Sequence, residues 1–139
     1  AGTLKRARQR LGTARVEGVD WYWPADEDPR SRRWKPDDQV RLLTPFDPIV
    51  WDRRRFEMFW GWTYRFEAYT PAPKRKLGYY ALPVLWGDRV IGWGNLSVVE
   101  GELRSTFGYV DGRGPRDAAF PAALEVELER VHVFLELRQ

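Results

Sequence analysis

"YYALPVLWGDRVIGWGNLSVVEGELRSTFGYV", Tyr79 to Val110, decides the fold. Three runs of β-branched and aromatic residues are separated by Gly87-Asp88 and Glu100-Gly101. Such pairs supply the backbone freedom that tight hairpin turns need. The stretch therefore predicts a three-stranded antiparallel meander. Pro83 has no N–H for a ladder bond, so its strand is expected at an edge or bulged. Gly92 and Gly94 predict bending or close packing.

Upstream lies "PFDPIVWDRRR", Pro45 to Arg55. Asp47 and Pro48 carry N-cap and N1 chemistry, which predicts a helix from Pro48 to about Phe59. It would send Ile49, Phe56 and Phe59 to the core, anchor Trp51 in its first turn, and pair Asp52 with Arg55. Successive helical residues are about 100° apart, so Arg53, Arg54 and Arg55 do not all face one phosphate. They fit either a solvated face or a backbone contact, with Arg53 and Arg54 better placed than Arg55. Next, "TYRFEAY" (Thr63 to Tyr69) alternates like a strand, and "TPAPKRKLG" (Thr70 to Gly78) is a loop with Lys74, Arg75 and Lys76 in succession.

The flanks are simpler. Leu4, Ala7 and Leu11 predict a short helix over 3–11. "ARVEGVDWYWPAD" reads as two short strands around Gly18, "DEDPRSRRWKPDD" as a polar loop, and "VRLLTP" as a strand ended by Pro45. In the tail, Leu124, Leu128, Val131 and Leu135 fit a helix over about 121–136. The expected architecture is α+β and mainly antiparallel β, a small barrel or curled sheet with two to three flanking helices, forming a single domain over 1–139.

Composition narrows the chemistry. The chain has 139 residues, 43% hydrophobic and 15% aromatic, enough for a packed core. It has no cysteine, which excludes disulfides, thiolate catalysis and cysteine-ligated zinc. His132 is the sole histidine and reads as a surface or packed residue; no serine lies in a nucleophile elbow. "YVDGRGPRD" lacks the Lys-Ser/Thr of a phosphate loop. No catalytic residue, metal or cofactor is expected, nor a membrane span; a cytoplasmic setting is. The opening lacks an initiator Met and reads as the start of a fragment.

Asp52 and Glu67 both sit among aromatics. Such surroundings can raise a carboxyl pKa and make a general acid. The competing reading pairs Asp52 with arginine and Glu67 with Arg65 or a backbone amide. The net charge is +3, and basic residues interleave with aromatics: Lys74 to Lys76 precede Tyr79 and Tyr80, and Arg89 follows Trp86. Basic groups neutralise phosphates while aromatics stack on bases. This makes Arg53, Arg54, Lys74, Arg75, Lys76 and Arg89 candidates for nucleic-acid binding. The alternative is a small-ligand-binding or protein-interaction barrel that uses the aromatics as a pocket.

"LLTPFDPIVWDRRR" followed by "YRFEAYTPAPKRKLGYYALPVLWGDRVIG" resembles the C-terminal part of the YcaQ/AlkZ-type tandem winged-helix DNA glycosylases, which act in crosslink repair. "VEGVDWYWPADED" and "LEVELERVHVFLEL" are similar to that family's corresponding segments, so the resemblance covers about residues 14–137. It implies a role in removing alkylated or crosslinked bases by cleaving the N-glycosidic bond. The family's catalytic motif is glutamine, an apolar residue, then glutamine or aspartate. Here Gln39-Val40-Arg41 ends in arginine, and neither Gln9 nor Gln139 starts the pattern. The resemblance thus implies a non-catalytic, DNA-binding C-terminal module of a longer protein, with double-stranded DNA as the partner, bound independently of sequence. After "GDRVIG" the chain reads Trp93-Gly94-Asn95-Leu96-Ser97, where members of that family tend towards an Arg-Val-Asp-Leu-Lys run, so the charged positions of that run are neutral here.

Overall fold

The computed structural model describes residues 10–137. It divides into two compact units, with the boundary between Pro36 and Asp37. Apart from its last two residues, the helix expected over 3–11 lies outside the described residues, and Leu11 opens a strand instead.

In the N-terminal unit, β1 (Leu11–Val16) pairs antiparallel with β2 (Val19–Pro24). Glu17 and Gly18 both have positive φ (49° and 79°). That is the requirement of a two-residue primed turn, whose twist matches the strands it joins. A 3₁₀ turn, Arg32–Trp34, follows, with Arg33 stacked over the Trp34 ring at 4.5 Å.

In the second unit, β3 (Val40–Leu42), β4 (Leu82–Trp86), β5 (Arg89–Val99) and β6 (Glu102–Tyr109) form one antiparallel sheet in that order. The predicted meander is present, and β3 adds beside β4. The sheet is open rather than a closed barrel. Pro83 is not in an edge strand, since β4 lies between β3 and β5. It sits where the pairing of β3 runs out, next to a register shift between Val84 and Leu85. Gly92 and Gly94 mark close packing: a Cβ at Gly92 would lie 2.1 Å from the Gly108 carbonyl oxygen, and one at Gly94 2.6 Å from the Phe107 ring. β4 follows β5 only to Gly94, whereas β6 follows it to Val99, so the β5–β6 hairpin extends past the sheet as a ribbon.

Strand alternation builds two cores. Leu85 and Val90 join Val50, Phe56 and Tyr64 in one cluster, while Val84 and Ile91 join Val40 and Phe120 in the other. The second is closed by α3 (Ala119–Phe134), the helix expected in the tail. The buried carboxylate of Glu127 ties it to the sheet by accepting the Leu42 N–H at 2.8 Å.

The segment after Pro45 departs from expectation. It forms two short helices, α1 (Pro48–Trp51) and α2 (Arg53–Trp60), rather than one. Asp47 caps the first as predicted, accepting the Ile49 N–H at 2.8 Å. Asp52 then breaks the chain with an extended backbone (φ −83°, ψ 96°) and caps the second, accepting the Arg55 N–H at 3.1 Å. Asp52 is therefore a cap, not the side-chain partner of Arg55. Val50 and Phe56, six residues apart, would lie about 120° apart on one continuous helix. The break lets both point inward; they are 2% and 1% exposed. It also turns Ile49, Phe59 and, above all, Trp51 outward. Trp51 is 74% exposed and is not the anchor that the sequence suggested. The anchor is Phe56, packed edge-on against Trp60 and Trp62 at 4.7 and 5.0 Å between ring centres.

"TYRFEAY" is not a strand. Tyr64 does face the core, with its hydroxyl donating to the Ala81 carbonyl at 2.8 Å. The backbone pairs with no neighbouring strand, and Glu67 points inward with Tyr64 rather than outward.

Phe56→Ala is expected to destabilise the fold by about 3–5 kcal/mol, the range for a large buried aromatic. Trp51→Ala is expected to stay within about 0.5 kcal/mol of the parent, as exposed positions do. Denaturant midpoints of the two variants check the contrast.

Candidate nucleic-acid interface

Glu67 organises this region. It is 7% exposed, yet it carries a carboxylate. Its oxygens accept the backbone N–H groups of Lys76 (2.8 and 3.0 Å), Leu77 (2.7 Å) and Gly78 (3.2 Å). Burial alone would raise its pKa. The three N–H donors, with help from the Lys76 ammonium, outweigh that and hold it below the ordinary value near 4.5. This is opposite to what a general acid at neutral pH requires, and it matches the backbone-amide reading. Asn95 adds a second tether, donating from Nδ2 to the Leu77 carbonyl at 2.8 Å.

The 70–78 loop is thus pinned from below, and its cations are sorted. Arg75 is turned back: its Nε donates to the Thr70 carbonyl at 2.7 Å and its guanidinium lies over the Tyr79 ring at 4.8 Å. Lys74 and Lys76 are exposed and line an open cleft of about 620 Å³ together with Arg53 and Arg65. None of these four enters an ion pair among the described residues. The one acid in the cleft, Glu67, is already engaged by backbone donors.

Arg53 and Phe66 also line a second cleft, of about 670 Å³, so the two adjoin. This half is aromatic. Trp51 and Phe46 (74% and 66% exposed) stand beside Arg53 and Arg54. Phe46 is fixed edge-on to Phe66 at 5.5 Å. Arg55 does not join them, because its Nη2 donates back to the Pro48 carbonyl. The result is a groove region of two adjoining clefts, one cationic and one aromatic, that share Arg53 and Phe66.

Of the residues predicted for DNA, Arg53, Arg54, Lys74 and Lys76 come together in this groove. Arg75 is committed to its own loop, and Arg89 lines a different cleft. Sequence reasoning missed Arg65, Phe46 and Trp51 as groove residues. The signal for Trp51 was the second aspartate: Asp52 has the same capping chemistry as Asp47, and two caps five residues apart imply two helices. In the N-terminal unit, Trp23 and Trp34 with Pro24 and Pro29 line a smaller apolar cleft of about 320 Å³.

The family model described as DNA glycosylase AlkZ-like matches residues 1–134. The chain belongs to the AlkZ-like DNA glycosylase family. No solved structure matches it. Membership makes this a DNA glycosylase-related repair protein, with DNA as the partner that the family suggests. The cationic and aromatic groove is compatible in chemistry with that partner. Among the described residues, no helix is long and apolar enough to cross a membrane, and no cluster of His, Cys, Asp and Glu is suited to a metal ion.

Glu67→Gln keeps the shape but removes the charge that three N–H groups point at. It is expected to cost about 1–3 kcal/mol at pH 7. Because the folded pKa is depressed, the Glu67 contribution is present above its unfolded pKa and fades as pH falls through the folded value. The stability gap between parent and variant should therefore be full at pH 7 and shrink on acidification below pH 4.5. Denaturation midpoints across that range check it.

Proposed function

We propose that these 139 residues act as one module, the C-terminal, non-catalytic DNA-binding part of a longer AlkZ-like glycosylase acting on alkylated or crosslinked bases. The observation that carries the proposal is the pair of adjoining clefts in which Arg53, Arg65, Lys74 and Lys76, none in a close ion pair among the described residues, lie near exposed Trp51 and Phe46. Lysine and arginine side chains held on a pinned loop and a capped helix suit a run of backbone phosphates. Such contacts position a duplex without reading its sequence, which suits repair of damage at any site. Exposed aromatics beside them suit a base displaced from the stack.

The non-catalytic part of the proposal rests on side chains already in use. Glu67 staples a loop, Asp52 caps a helix, and Gln39 accepts the Arg130 guanidinium at 3.2 Å. None is left to position a water. The chain itself is expected to form no abasic sites in alkylated DNA; their appearance in a purified, contaminant-free preparation would falsify this part.

Binding is expected to be weak and alike for all duplex sequences. Four phosphate contacts correspond to a slope of log affinity against log salt of roughly −3.6, from about −0.9 per contact. Lys74→Ala with Lys76→Ala should bring it to about −1.8 and weaken all sequences equally. A fluorescence-anisotropy salt titration of parent and double variant tests this. Equal slopes would remove the loop from the interface. Trp51→Ala should leave the duplex slope unchanged and weaken binding to DNA with an unpaired base by about 1–3 kcal/mol.

A further inference from the structure

Arg89 stands apart from the groove just described. The hairpin turn that carries it sits by a cleft of about 470 Å³, lined also by Trp60, Trp86, Arg113 and Arg116. Three arginines, from the sequence-distant start of β5 and the 110–118 segment, line it. One acid, Asp111, lines the same cleft, which leaves an excess of two positive charges. None of the three arginines enters an ion pair among the described residues, and all three are exposed.

The cleft is built on fixed backbone. Trp60 Nε1 donates to the Asp88 carbonyl at 3.0 Å, which locks the wall to the hairpin turn. Trp86 packs edge-on against Phe120 at 5.5 Å. Val110 N–H donates to the Ile91 carbonyl, and Gly112 N–H to the Tyr109 carbonyl, each at 3.0 Å. On the far side, Asp117 accepts the Ala119 N–H at 2.9 Å and starts α3. Arg113 and Arg116 therefore project from a segment held at both ends.

We propose that the Arg89–Arg113–Arg116 cleft is a second, separate phosphate-binding site. Guanidinium forks match phosphate oxygens in pairs, and three of them around one cleft favour a doubly charged or bridging oxyanion over a carboxylate. The phosphate comes from one of two sources: a nucleic-acid backbone diester or a free phosphate. The backbone source rests on the DNA-binding reading above; the free source does not.

The test uses the chain with Arg113→Gln and Arg116→Gln together, and with Arg89→Gln alone as a second variant if the double one fails to fold. In the first arm, anisotropy on undamaged duplex gives the salt slope. Loss of two contacts should reduce its magnitude by about 1.8, while the Lys74→Ala, Lys76→Ala chain keeps its own separate loss. In the second arm, inorganic phosphate is titrated while the indole N–H signals of Trp60 and Trp86 are followed by NMR. A slope change identifies the backbone as source. Saturable movement of the two indole signals in the parent, absent in the variant, with an unchanged slope identifies free phosphate. An unchanged slope together with unmoved indole signals overturns the proposal. If the Lys74/Lys76 variant alone loses slope and the indole signals stay unmoved, this cleft fails while the groove stands.

Discussion

A buried carboxylate that accepts three consecutive backbone N–H groups is the constraint on which the groove depends. Glu67 receives Lys76, Leu77 and Gly78. Without it, those donors would be buried unpaired, and each would cost free energy comparable to a lost hydrogen bond. The bonds also set direction. With the backbone of residues 76–78 held inward, the Lys74 and Lys76 side chains project into the groove while Arg75 is tied to Thr70 and Tyr79. A loop with three adjacent cations becomes a surface with two, at fixed places.

The second constraint is the pair of aspartate caps. Asp47 and Asp52 stop one helix and start another within five residues. A continuous helix would have buried either Val50 or Phe56 and left the other facing sideways. Two short helices bury both and expose Trp51. An exposed tryptophan of this kind contributes little to stability and so is available for contact. The same break places Arg53 and Arg54 in the first turn of α2, next to Trp51. The fold's answer to a packing problem thus produces the aromatic and cationic adjacency of the groove.

These two features also mark the limit of what the sequence discloses. The meander was legible because its signals are local: alternating apolar runs with Gly-Asp and Glu-Gly between them. The tail helix was legible from the spacing of Leu124, Leu128 and Val131. The Asp47 cap was legible from its neighbour Pro48. What could not be read depends on partners distant in sequence. "TYRFEAY" alternates like a strand, yet the place beside β4 is taken by Val40–Leu42, and the segment joins no sheet. Glu67 falls on the polar side of that alternation and is nonetheless buried, since its donors come from nine to eleven residues further on. Glu127 repeats the lesson: on a Glu-rich helix it looks like solvated surface, but it accepts an N–H from an edge strand 85 residues away.

Charge follows the same logic. The sequence shows basic residues in clusters, and clusters suggest one surface. Packing separates them by what each side chain is bonded to. Arg55, Arg75 and Arg130 donate to Pro48, Thr70 and Gln39, respectively, and serve the scaffold. Arg53, Arg65, Lys74 and Lys76 remain available on one groove, and Arg89, Arg113 and Arg116 on another cleft. Exposed ion pairs contribute little to stability, so leaving these cations outside any close ion pair among the described residues costs the fold almost nothing. It does retain positive potential at two places where a polyanion can meet it. In a protein of the AlkZ-like family, for which DNA is the suggested partner, that distribution of bonded and unbonded cations separates what builds the fold from what stays available at the surface.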